Sequence, residues 1–268
     1  GRTIVLVAHH DAARSAFFFN PAITEAVGER APWVFENADT SPPLMWPVVA
    51  GPALVAAGAA SGSGALTRLG TFFSAGSATF MAHIGSGEVV PGANDNGSGC
   101  VALIALARAL AADPTESTRV LFLSTSEEAL NEGMALFMDR HAGELPVERT
   151  FFVCLDTIAS PMLCALRGEG MLKLRDYPPE ALELVDSTAE QLGIELVPNL
   201  RLRNATDGIF PLAAGYQCVS LASCNRFKNP SNYHWPTDTP ENAHYETLAD
   251  AIRLSEAVIR RLDKTWVD

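Results

Sequence analysis

"VVPGANDNGSGCVALIALARALA", residues 89–111, begins as punctuation and ends as an apolar helix. Gly92, Gly97 and Gly99 surround Asp95 and Asn96, and residues 100–111 are rich in Ala and Leu, which are strong helix formers. Asn-Gly is a common turn dipeptide, so the simplest reading is a loop that opens a helix. The Asp95 carboxylate at the mouth of that apolar helix asks for a further reason: something has to be held there.

Reading outward from this stretch, strand-like and helix-like segments alternate. "TIVLVA" (3–8), "RVLFLST" (119–125), "TFFVCLDT" (150–157) and "QCVSLAS" (217–223) are short β-branched or apolar runs that predict buried strands. Between and after them, "EALNEGMALFMDRHA" (128–142), "PEALELVDSTAEQLG" (179–193) and "YETLADAIRLSEAVIRRLDK" (245–264) carry helical periodicity, the second closed by Gly193. The alternation predicts an α/β layered fold with a mainly parallel sheet. In such folds ligand sites gather at the carboxyl ends of the strands.

Bulk properties narrow the function. With 268 residues, 48% hydrophobic and 19% charged, the chain has the composition of a folded domain with a large core. Its formal net charge of −12, from 19 Lys+Arg against 31 Asp+Glu, argues against nucleic acid and against charge-driven binding to anionic lipid. The five cysteines, Cys100, Cys154, Cys164, Cys218 and Cys224, are odd in number and lack CxxC spacing, so they form neither a disulfide framework nor a thiolate zinc site. Cys100, Cys154 and Cys164 read as core thiols, and Cys218 with Cys224 is the one pairing across a short loop to test. The chain starts at Gly1 with no initiator Met and no signal peptide, and reaches a strand by residue 3. That beginning suggests a trimmed piece and leaves the compartment open, a membrane-associated or extracytoplasmic one included.

Residues 12–90 break the alternation. "LMWPVVAGPALVAAGAA" (44–60) has no charge, and "ALTRLGTFFSAGSATFMAHI" (65–84) has only Arg68. A membrane span needs about 20 apolar residues, so both are borderline. Two readings stay open for 44–84: a helical hairpin or lid over the site, or contact with a membrane.

The polar residues at strand ends carry the chemistry. His9, His10 and Asp11 follow the first strand; Asp95 precedes a helix; Glu127 and Glu128 follow the second strand; Asp156 ends the third; His234 lies late, in "NYHWPTDTPEN". Singly, each has an ordinary structural role. Together, imidazoles and carboxylates without thiolates make a donor set for zinc or a similar divalent ion. Two histidines and three carboxylates exceed one tetrahedral site and suit a pair of ions bridged by a carboxylate. The glycine-shaped loop makes Asp95 the candidate bridge. Of the adjacent glutamates, one binds metal while the other is free to act as a general base.

This set resembles the M28 family of zinc metallopeptidases, whose aminopeptidases carry a co-catalytic metal pair. The matching pieces, in the family's order, are "AHHDA" (8–12), "PGANDNGSG" (91–99), "STSEEALNEG" (124–133), "CLDT" (154–157), "ATDGIFPLAAGY" (205–216) and "YHWPTDTPEN" (233–242). The resemblance implies one catalytic domain over residues 1–268. Its fold would be an α/β three-layer sandwich with a mainly parallel, mixed central sheet and helices on both faces, to which this chain's own pattern adds an apolar helical insertion at about 12–90. It implies two Zn2+ ions per chain, with His9 and Asp156 on the first, Glu128 and His234 on the second, and Asp95 bridging through a cis peptide to Asn96. It also implies Asp11 as the orienting carboxylate, Glu127 as the general base acting on metal-bridged water, and Tyr233 as the oxyanion donor. The substrate would be a peptide or aminoacyl compound, and the oligomeric state is left open. His10 departs from the family's aromatic at that place, the 12–90 insertion is atypical, and the family's elements before the first strand are missing. That last departure predicts unpaired backbone beside "TIVLVA". Two rivals share the fold: a single-zinc glutaminyl-cyclase-like acyltransferase and a metal-dead membrane or binding module.

Overall fold

The computed structural model describes residues 1–36, 38–42, 46–128 and 131–265. Strands β1 (Arg2–His9), β2 (Thr118–Thr125), β3 (Thr150–Leu155), β4 (Met162–Ala165), β5 (Gly168–Glu169), β6 (Arg175–Asp176), β7 (Arg201–Leu202) and β8 (Gln217–Cys224) form two sheets. The larger has the order β2-β1-β3-β8-β4. Its first four strands are parallel, and β4 runs antiparallel to β8. The smaller sheet has the order β6-β5-β7. Helices are α1 (Pro21–Arg30), α2 (Trp33–Glu36), α3 (Trp46–Ser61), α4 (Gly64–Ser86), α5 (Ser98–Ala112), α6 (Glu132–His141), α7 (Pro179–Leu192), α8 (Ile209–Ala213) and α9 (Tyr245–Thr265).

Alternation along β1 explains the layers. Ile4, Leu6 and Ala8 join Leu106 of α5, Val185 of α7 and Leu254 of α9 in one core. Val5 and Val7 point the other way, toward Met134 of α6 and Tyr216 after α8. A strand buried on both faces reads as a near-continuous apolar run, and "TIVLVA" is one after its first residue, the buried Thr3. The result is an α/β fold with a mixed five-stranded sheet and helices on both faces. β1 is an interior strand, paired with β2 on one side and β3 on the other, so the expected open backbone beside it is not there; β2 and β4 are the edges.

Three further expectations shift. The helix placed at 128–142 begins at Glu132, and Ala129 and Leu130 of that span lie outside the described residues. Cys218 and Cys224 do not pair. Both are buried free thiols on β8, and six residues of strand at roughly 3.3 Å each hold them about 20 Å apart. The neighbour of Cys224 is instead Cys164 on β4, with sulfurs 3.5 Å apart. Finally, among the described residues no helix is long and apolar enough to cross a membrane.

Residues 12–90 leave and rejoin the domain through a paired neck. The Ser15 N–H donates to Glu88 O, and the Val90 N–H donates to Ala13 O. Beyond it, α3 and α4 pack chiefly on each other, and glycine permits their close approach. A Cβ at Gly70 would lie 2.5 Å from the Val55 nitrogen, and one at Gly51 2.8 Å from the Ser74 nitrogen. Leu69, Phe72, Phe73 and Met81 on α4 remain exposed. Leu44 and Met45, which open the first apolar stretch, lie outside the described residues.

Candidate metal centre

Five of the site residues sit where a parallel strand ends. His9 is the last residue of β1 and Asp11 lies two beyond it; Glu127 and Glu128 follow β2; Asp156 follows β3. Asp95 lies in the broken turn Ala93–Gly97 that opens α5, where its peptide to Asn96 is cis. Gly92 starts that turn with φ 67°, a conformation that favours glycine. The long connection after β8 returns Tyr233 and His234 to the same rim.

The structure brings all the expected donors together, and Asp95 is at the centre. Its Oδ1 lies 3.3 Å from His9 Nε2, and its Oδ2 lies 3.2 Å from His234 Nε2. Around His9 Nε2 stand Asp156 Oδ1 at 3.9 Å and Glu127 Oε2 at 4.0 Å. Around His234 Nε2 stands Glu128 Oε1 at 3.4 Å. Two donor groups therefore share one carboxylate. Among the described residues, sets of ligand atoms able to hold an ion are formed by His9, Asp95 and Glu128 and by His9, Glu127 and Asp156.

Asp11 ties two sides of the site. Its Oδ1 is 3.2 Å from His9 Nδ1, and its two carboxylate oxygens accept the N–H groups of Glu127 and Glu128 at 2.9 and 3.1 Å. These bonds fix both glutamates against Asp11, ahead of the start of α6 at Glu132. His10 is exposed and meets Ser124 instead. Tyr233 stacks on His234, ring centroids 3.8 Å apart.

The electrostatics test whether a cation fits. Burial disfavours the charged carboxylates of Glu127 and Asp156, their negative neighbours add to this, and Asp156 is pushed up to about 7. Glu128 is raised by burial and by Asp95 despite its bond to His234. Burial opposes the His9 imidazolium, but Asp95, Glu127 and Asp156 outweigh it and take its pKa to about 12. His234 reaches about 9 for the same reasons, through Asp95 and Glu128. Asp95 is the exception: burial is overcome by the two histidines, which hold it below the usual carboxylate range. Its buried Oδ2 has no hydrogen-bond partner of good geometry. An excess of buried carboxylates with an orphaned oxygen at their centre fits positive charge better than protons. The donors, all N and O, suit zinc.

Sequence reasoning missed three supports. Asp238 accepts the N–H groups of Asn94 and Asp95 at 2.8 and 3.0 Å, fixing the turn from below. The Asn96 side chain donates to Leu155 O and accepts the Thr157 N–H. Asp207 donates its N–H to Glu127 Oε2 at 3.1 Å, while its carboxylate accepts from Thr125 Oγ1. Asp238 and Asp207 lie inside quoted motifs, so their segments were visible but their roles were not.

A family model described as peptidase family M28 matches residues 74–259, more than half of the chain. The chain belongs to peptidase family M28. Solved structures agree on the fold. The zinc aminopeptidase BSAP from Bacillus subtilis is 24% identical over 63% of this chain and 42% of its own length, with TM-score 0.52. A leucine aminopeptidase precursor from Bacteroides thetaiotaomicron is 17% identical over 96% of this chain and 71% of that one, TM-score 0.58. Tannerella forsythia glutaminyl cyclase is 16% identical over 97% and 73%, TM-score 0.59. The chain thus spans less than half the length of the Bacillus zinc aminopeptidase it matches. Comparison with curated proteins finds no match.

Proposed function

We propose that this M28 chain is a di-zinc metallopeptidase, an aminopeptidase that removes N-terminal residues from peptides. The observation that carries this reading is Asp95, with one oxygen facing each histidine and a separate carboxylate beside each. His9, Asp156 and Asp95 would hold one zinc, and Asp95, Glu128 and His234 the other. When bound, the ions would polarise the scissile carbonyl and acidify the attacking water.

The protein groups do the rest. Glu127 is the general base. The Asp207 N–H donates to its Oε2, the oxygen that also faces His9, and so fixes the carboxylate that would take the water's proton and deliver it to the leaving amine. The Tyr233 phenol, raised well above its ordinary value by burial and by Asp95 and Glu128, stays protonated and donates to the oxyanion. Asp11 keeps the His9 ring in one tautomer and orientation. A cavity of about 60 Å³ opens beside Tyr233, between Phe18 and Phe19 on one side and Phe227 and Pro230 on the other. We assign it to the substrate. The segment 12–90 is read as an insertion that borders this cleft through residues 18–25, with α3–α4 projecting from it.

The glutaminyl-cyclase relative, matched over nearly the whole chain, keeps a second reading in play: acyl transfer at a single zinc. Metal stoichiometry with substrate choice separates the two. Two zinc ions per chain by elemental mass spectrometry, with release of amino acids from aminoacyl anilides, supports the peptidase. One zinc, with cyclisation of an N-terminal glutamine and no aminoacyl hydrolysis, overturns it. A chain that takes up no zinc favours the metal-dead module.

A further inference from the structure

The two metal-facing histidines are oriented by different means. His9 Nδ1 is held by Asp11. For His234, among the described residues, no hydrogen bond reaches the ring nitrogen facing away from Asp95 and Glu128. Metal-binding imidazoles are ordinarily fixed by a hydrogen bond at that second nitrogen. His234 also has φ 50°, in the left-handed region that non-glycine residues seldom occupy. What surrounds the ring is aromatic. Tyr233 stacks on one side, and Phe19 meets it edge-on with centroids 4.6 Å apart at 65°. Phe19 also meets Tyr233, at 5.8 Å and 84°. Edge-to-face contacts of this kind are directional, because ring edges are positive and faces negative.

Phe19 is itself held. It closes the single turn Phe17–Phe19, with its N–H donating to Ala16 O. The next residue, Asn20, caps α1 by accepting the Ala22 N–H, and Pro21 occupies the first helical position. From behind, Phe80 of α4 meets Phe18 at 4.9 Å and Phe19 at 6.2 Å. The base of the α3–α4 hairpin is thus connected to a metal-facing imidazole through two ring contacts.

We propose that Phe19, backed by Phe80, is a positioning residue: its ring takes the place of the missing hydrogen bond and sets the His234 imidazole toward the second metal. This inference rests on the two-metal reading above. The test is zinc titration of the whole chain against a chromophoric chelator, for Phe19→Ala, Phe19→Leu, Phe19→Tyr and Phe80→Ala. Loss of an orienting partner ordinarily weakens metal binding about 10–100-fold. Phe19→Ala is expected to weaken the second zinc by about tenfold and leave the first unchanged. Phe19→Tyr restores wild-type affinity; Phe80→Ala has a smaller effect in the same direction. Phe19→Leu keeps an apolar side chain without the ring and decides the matter should the Ala variant fold poorly.

Unchanged second-ion affinity in a wild type that loads two ions overturns this inference alone. Equal weakening of both ions, together with a lower melting temperature of metal-free protein, overturns it as well, because the ring would then be merely structural. A wild type that loads fewer than two ions overturns the two-metal reading and the inference with it.

Discussion

Replacing Asp238 by Ala tests how the central turn is held, without reference to metal. Asp238 is 2% exposed, and its two oxygens accept two backbone N–H groups, from Asn94 at 2.8 Å and Asp95 at 3.0 Å. Alanine leaves both donors buried. An unsatisfied buried donor costs about 1–3 kcal/mol, which gives roughly 2–6 kcal/mol for two. Part of this is offset, because burial already disfavours the Asp238 carboxylate and raises its pKa despite those bonds. A net loss of about 2–4 kcal/mol follows. At about 2–4 °C per kcal/mol for a domain of this size, the melting temperature should fall by roughly 5–15 °C. Calorimetry on chelator-treated protein measures this with metal effects removed. Asp238→Asn should fall nearer to the Ala variant, since its amide turns a donor toward one of the two donors. A drop under about 2 °C for Asp238→Ala, with an unchanged circular dichroism spectrum, would refute the reasoning: water or a local shift would be satisfying the turn at little cost.

Three more outcomes are expected. Glu127→Gln should keep its zinc and lose about 10²–10⁴-fold in kcat; normal peptide hydrolysis would sink the assignment of the base. Glu169 is fully buried, accepts from Tyr177 Oη and the Thr206 N–H, and is raised from 4.5 to about 7, mainly by burial. A raised carboxyl pKa means that the folded state keeps a proton the unfolded state has lost. Its stabilising contribution is therefore complete below about 4.5 and disappears as pH rises through about 7. At about 1.4 kcal/mol per unit this amounts to roughly 3 kcal/mol at most. Denaturant titrations of Glu169→Gln should show a flatter stability profile between pH 5 and 8 than wild type, all in about that range, and parallel profiles would rule the effect out. Gly70→Val places a Cβ against the Val55 backbone. Limited proteolysis should then cut within 46–86 faster while the main melting transition stays put; an unchanged cleavage rate would show that α3 and α4 do not depend on this contact.

Legibility in the sequence follows the range of the interactions. β1 and β3 were readable because burial on both faces demands an uninterrupted apolar run, and α7 and α9 because burial of one stripe demands a helical period. β4 was not readable. Its four residues pair antiparallel with β8, and nothing local distinguishes that edge from a loop. The two-residue strands β5, β6 and β7 carry too little pattern to be seen. α6 starts at Glu132 although the helical pattern runs from Glu128; ahead of it the Glu127 and Glu128 N–H groups go to Asp11 across the site, a contact no local pattern reveals.

The site divides in the same way. His9, Asp11, Asp95, Glu127, Glu128 and Asp156 each follow a strand or open a helix, so chemistry and position were visible together. What holds them was hidden by distance. Asp238 lies 144 residues from Asn94, whose N–H it accepts. Phe19 reads as one of three phenylalanines before a proline until the neck of the 12–90 segment carries it to His234. The difference is physical. A donor for a metal has to be one of a few residue types, and the fold puts it at a strand end. A support needs only to fill space or accept a hydrogen bond, and many residues at many places can do that. For this reason the 12–90 segment matters more to the site than its composition suggests. Its apolar length draws attention to α3 and α4, yet the contacts with the metal-facing rings come from the short turn at its base, with one side chain of α4 behind it.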